Sequence, residues 1–134
     1  MNTQAIQAVQ PCSTMTEVRR CVDALDDVLV PLLVQRTAYM TQAARIKQDV
    51  NHVRDEARIQ AIVDRVRQRA VAEGGEPAVI EAIYRDMMEV CIAYEHREFA
   101  RLRDSSLSAV GPSQGAKAHS AGSAVHEVTS VGAL

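Results

Sequence analysis

Arg36 stands in a run whose other members are Val18, Val22, Leu25, Leu29, Leu32, Tyr39, Ala43 and Ile46, spaced alternately by four and three. That spacing places residues on one face of a helix, and the face is apolar except at Arg36. A guanidinium there is expensive to bury without a counter-charge, and no acidic residue shares the seam, so Arg36 is a candidate for binding a ligand. Lys47 lies eleven residues further on, about 16 Å along the same side of the helix, so the two cationic side chains could close on a small ligand between them. Arg19 precedes Arg36 by seventeen residues, about 25 Å away and on a different side. If Arg19 serves the same site, a second copy of the chain must supply it. Glu95 interrupts a third apolar run, Tyr84, Met88 and Cys91. Lys47 and Glu95 each have an ordinary structural alternative: a lysine reaching water from a helix end, and a glutamate exposed on a fraying last turn.

These residues need long helices to position them. Ser13, Thr14 and Glu17 supply a capping box, from which a first helix is expected to run from residue 15 to about 49. Pro31 lies inside it and removes a backbone hydrogen bond, yet the apolar stripe keeps its phase across the proline, which favours a kinked helix over two separate ones. Residues 49–54 read as a loop. Asp55 is the expected cap of a second helix from Glu56 to about Ala72, with Ile59, Ile62, Val63, Val66 and Ala70 inward and Arg58, Arg65, Arg67 and Arg69 largely outward. Gly74 and Gly75 stop it. Pro77 suits the first turn of a third helix, with Ile80, Ile83, Tyr84, Met87, Met88, Cys91 and Ile92 as its core face, continuing through Phe99 and Leu102.

The expected organisation is therefore all-α, with a mobile arm over residues 1–14, a helical domain over 15–104 and a disordered Ser, Ala and Gly-rich tail over 105–134. His119 and His126 in that tail are too isolated to suggest a metal site. The 134 residues carry a net charge of -2, which gives no bulk electrostatic case for nucleic acid or an anionic membrane, so any anion site must be local. Four aromatic residues and no tryptophan suit an aliphatic helical bundle. Three cysteines without a CxxC pair indicate neither a disulfide framework nor a zinc site. With no basic start followed by an apolar run and no stretch approaching a membrane span, the expected location is the cytoplasm.

Four segments together resemble the all-helical chorismate mutase family: Val18-Arg19-Arg20-Cys21-Val22-Asp23-Ala24-Leu25-Asp26; Leu32-Leu33-Val34-Gln35-Arg36; Ala43-Ala44-Arg45-Ile46-Lys47; and Val53-Arg54-Asp55-Glu56-Ala57-Arg58. The spacing from Arg19 to Arg36 to Lys47 fits the family without a gap, and the likeness covers roughly residues 15–103. It implies three helices per chain, an intertwined homodimer and two active sites, each taking Arg19 from the partner. It implies that Arg36 and Lys47 bind the two carboxylates of chorismate, that Lys47 also reaches the ether oxygen, that Asp55 meets the ring hydroxyl and that Arg58 is the arginine of the second helix. Because chorismate rearranges to prephenate intramolecularly, no metal, nucleophile or other cofactor is called for. The protein must select the compact conformer and donate hydrogen bonds to the ether oxygen.

Three positions depart from the commonest pattern. Glu95 stands where the family has glutamine or glutamate as second donor to the ether oxygen, and a glutamate can donate only as the neutral acid. Ile59 replaces the glutamate that helps to hold the ring hydroxyl in many mutases; related isochorismate-pyruvate lyases are also aliphatic there. Cys91 stands where a serine can contact a carboxylate. Besides chorismate mutase, an isochorismate-pyruvate lyase or aminodeoxychorismate mutase activity therefore stays open, as does a non-catalytic helical interaction module. The length leaves no room for a fused dehydratase or dehydrogenase.

Overall fold

A computed structural model of the chain describes residues 8–109, with side chains to Ser105. The described residues form three helices: α1 (Met15–Ile46), α2 (Glu56–Ala72) and α3 (Pro77–Ala109), with a single 3₁₀ turn at Val50–His52 between the first two. The all-α expectation holds. Residues 8–12 of the expected arm have no regular structure and are exposed. Helix α3 runs past the expected domain end at 104 as far as Ala109, while the remainder of the expected tail, with His119 and His126, lies outside the described residues. Among the described residues no helix is long and apolar enough to cross a membrane.

The start of α1 is a capping box: the Glu17 N–H donates to Thr14 Oγ1 at 3.2 Å, and the Glu17 carboxylate accepts from the Ser13 N–H at 2.7 Å. The helix runs unbroken through Pro31, although the proline cannot donate to the carbonyl four residues earlier. It ends at Ile46, three residues short of the expected end. The chain falls into two compact units that divide between Arg36 and Thr37. In the first, the stripe Val18, Val22, Leu25, Leu29 and Leu32 is 37–52% exposed, so it is not the inward face that its periodicity suggested. The buried residues of α1 are Met40, Ala43 and Ala44, all in the second unit.

The second unit carries the core. Met40, Val53, Ile59, Ile62, Val63, Met88, Cys91 and Ile92 form one buried cluster, with Val66, Tyr84, Met87, Tyr94 and Phe99 packed against it. Helix α2 is built from local signals. Asp55 caps it by accepting the Arg58 N–H at 3.0 Å. At its end Gly74 takes a φ of 73°, the left-handed conformation that glycine adopts without a Cβ penalty, while the Gly75 N–H returns to the Ala70 carbonyl at 2.8 Å. The chain then reverses into α3, which packs antiparallel on α2. Ion pairs tie α3 to α2 and to the segment before it, Arg67 of α2 to Glu81 at 2.7 Å and Arg54, two residues ahead of α2, to Glu89 at 2.8 Å.

These bridges make the fold acid-sensitive. The guanidinium of Arg85, then that of Arg67, holds the Glu81 carboxyl below the usual glutamate range, and Arg54 does the same to Glu89. Both groups bind protons less tightly folded than unfolded. Their stabilisation is therefore fully present above the unfolded value and drains away as pH falls toward the folded ones. Thermal melts between about pH 6 and about pH 3 should show a smaller acid-induced drop for Arg54→Ala than for the wild type, the effect being modest because both partners face solvent. Asp55→Ala should lower stability by about 1 kcal/mol in denaturant titrations through loss of the α2 cap.

Candidate functional site

Lys47 is the first residue beyond α1, and its N–H closes the helix on the Ala43 carbonyl at 2.9 Å. Its side chain turns inward. Nζ donates to Glu95 Oε1 on α3 at 2.7 Å and reaches the Val53 carbonyl at 3.4 Å. Side-chain exposure is 10% for Lys47 and 0% for Glu95, so neither ordinary alternative, a snorkelling lysine or a glutamate on a fraying turn, describes the fold. The loop that follows Lys47 has its own cap. Asp49 caps the 3₁₀ turn by accepting from the Asn51 N–H at 2.9 Å, and Val53, whose carbonyl the Lys47 ammonium reaches, is fully buried in the core cluster.

Taking both charges out of water costs several kcal/mol per ion, and their attraction repays it only where the remaining polar valences are also satisfied. Here they are not. Among the described residues, the buried side-chain nitrogen and oxygen atoms that find no hydrogen-bond partner are Glu95 Oε2 and Arg58 Nε. An orphaned buried polar atom costs on the order of 1–3 kcal/mol, a cost that a ligand with complementary groups removes. Oε2 is an acceptor when Glu95 is ionised and becomes a donor when that oxygen carries a proton.

The second unit also contains four more of the expected site residues, Asp55, Arg58, Ile59 and Cys91. Arg58 is half-buried on the first turn of α2, not on the outer face where its neighbours Arg65, Arg67 and Arg69 lie. Asp55 commits one carboxylate oxygen to the α2 cap and makes a further interaction. Ile59 and Cys91 are buried in the core cluster. Arg19 and Arg36 belong to the first unit: Arg19 is exposed, whereas Arg36 is half-buried and engaged in an interaction of its own, so it is not the unpartnered charge that the seam alone suggested.

Three further residues carry no mark in the sequence pattern. Thr41 and Tyr94 join α1 to α3 through their hydroxyls at 3.3 Å. Arg103, two turns beyond Glu95, donates to the carbonyls of Ala44 and Lys47. None of the three is among the positions that the apolar pattern marked; backbone carbonyls leave no residue-type signature, and Arg103 reads as one more basic residue near a helix end.

The second unit thus offers a buried ammonium paired with a carboxyl group that can accept or donate, and a guanidinium with an unused donor. They suit the grip of an anionic ligand and hydrogen bonding to an oxygen that gains negative charge. No curated protein and no solved structure matched the chain. A family model described as chorismate mutase type II matches residues 18–96, a span that contains Arg19, Arg36, Lys47, Asp55, Arg58, Ile59, Cys91 and Glu95, and the chain belongs to that family.

Proposed function

We propose that the chain is a chorismate mutase that works as a homodimer. The observation that carries this reading is the buried Lys47–Glu95 pair with Oε2 unsatisfied, in a chain of the chorismate mutase type II family. In the rearrangement a carbon–oxygen bond breaks as a carbon–carbon bond forms, and negative charge grows on the ether oxygen. Lys47 donates to that oxygen and to a carboxylate. Glu95, protonated on Oε2, is the second donor, so the two groups stabilise charge present in the transition state and weak in the ground state. Arg36 and the partner's Arg19 clamp the carboxylates bidentately and hold the compact conformer. Arg58 offers Nε to the ligand, Asp55 takes the ring hydroxyl, and Cys91 and Ile59 close the pocket with apolar surface.

The dimer is supported by the uncovered stripe of α1. Val18, Val22, Leu25, Leu29 and Leu32 form a continuous apolar face that a second α1 with the same spacing would bury. Arg19 lies at one end of that stripe and Arg36 at the other, which is the arrangement a shared site requires.

Purified protein incubated separately with chorismate and with isochorismate should yield prephenate from the first. Formation of salicylate and pyruvate from the second, with no prephenate from the first, would make it a lyase, a reading that the apolar Ile59 also accommodates. Glu95→Gln, which keeps a donor at this position, should retain turnover, whereas Glu95→Ala should lower kcat by about a hundredfold; full activity in Glu95→Ala contradicts the donor role. Lys47→Ala should lower kcat by about a hundredfold or more. Arg19→Ala and Arg36→Ala chains, each inactive alone, should recover part of the activity when mixed, because one site of each mixed dimer receives both arginines. No recovery after verified subunit exchange rules out the shared site.

A further inference from the structure

We propose that Arg103 is a positioning residue for Lys47, an inference that rests on Lys47 being the donor described above. The last carbonyls of a helix have no partner within it. At the end of α1 the Lys47 N–H takes the Ala43 carbonyl, and Arg103 takes that of Ala44 together with the carbonyl of Lys47 just past the helix. One terminal nitrogen of its guanidinium donates to the Ala44 carbonyl at 2.6 Å and lies 3.4 Å from the Phe99 carbonyl. The other terminal nitrogen donates to the carbonyl of Lys47 itself.

The guanidinium is held for this task. It stacks over the Phe99 ring at 3.4 Å from the centroid, so its plane and the direction of its fork are fixed by α3. Its charge also sits at the negative end of the α1 dipole. Lys47 is consequently gripped at both ends by one helix: Arg103 fixes its backbone, and Glu95, two turns earlier on α3, fixes its ammonium. Lys47 keeps the helical bond from its N–H to Ala43, but its carbonyl lies beyond the last residue of α1, and Arg103 supplies the restraint there. A lysine at position 103 keeps the charge but cannot bridge two carbonyls in one plane.

The test uses the full chain, with Arg103→Ala made in the wild type and in Lys47→Ala, at temperatures well below the melting point of each variant. Positioning through Lys47 requires Arg103→Ala to lower kcat about tenfold or more in the wild type, with a smaller change in KM, and to add nothing in Lys47→Ala. An equal loss in both backgrounds, or none in either, overturns it. A second readout needs no turnover: the rate at which acetic anhydride acylates Lys47, followed by peptide mass spectrometry, should rise several-fold in Arg103→Ala, and an unchanged rate overturns the proposal. If the wild type does not convert chorismate, the functional reading fails and the acylation rate still decides the role of Arg103. Should Arg103→Ala fail to fold, Arg103→Lys carries the same comparisons.

Discussion

A buried ammonium and carboxylate 2.7 Å apart set the terms for the second unit of this chain. Such a pair is no cheap source of stability, since the cost of desolvating both ions rivals their attraction. Holding it demands that the surrounding backbone be fixed. The loop between α1 and α2 meets that demand with a capped 3₁₀ turn, a fully buried valine whose carbonyl the ammonium reaches, and a capped helix start. Helix α3 supplies the carboxylate from a core position between Cys91 and Phe99, so displacing Glu95 would disturb the packing of the unit. What the fold leaves unsatisfied is specific: one oxygen of Glu95 and one nitrogen of Arg58. Rigid placement with two open polar valences is the condition under which a site binds a charged ligand strongly without reorganising.

The first unit shows the opposite balance. Its apolar residues are arranged with helical regularity and then left about half exposed, whereas Met40, Ala43 and Ala44 in the continuation of the same helix are buried. One continuous α-helix thus serves two purposes. Its final turns pack into the core and deliver Lys47, and its longer N-terminal part offers an apolar stripe flanked by Arg19 and Arg36. The proposed dimer follows from asking what covers that stripe, and the proposed shared site from the length of helix between the two arginines.

Local chemistry was the part of the fold most legible in the sequence. Asp55 caps α2, Gly74 ends it with a positive φ, Pro77 opens α3, and Thr14 with Glu17 opens α1, because each signal acts within one turn of chain. Periodicity identified the faces of α2 and α3, but on α1 it could show only that one face is apolar, not what covers it. Nothing in Lys47-Gln48-Asp49 marks the loss of helical bonds, so the sequence extends α1 past Ile46, whereas in the fold Lys47 turns to Glu95 and Arg103. Four arginines on one helix look alike, so the pattern puts Arg58 outward with its neighbours, and the family likeness alone singles it out. Arg36 drew notice as an uncompensated charge, yet the folded chain gives it an interaction that its own seam does not contain.

The central claim is that the Lys47–Glu95 pair, with its unsatisfied oxygen, is where the ligand's reacting oxygen is received. A crystal structure with a non-reactive dicarboxylate shaped like compact chorismate tests it most directly. The expected result is a ligand oxygen within hydrogen-bond distance of both Lys47 Nζ and Glu95 Oε2, with ligand carboxylates on Arg36 and on the partner's Arg19. A ligand bound elsewhere, with Lys47 and Glu95 still closed on each other and Oε2 still without a partner, would contradict it.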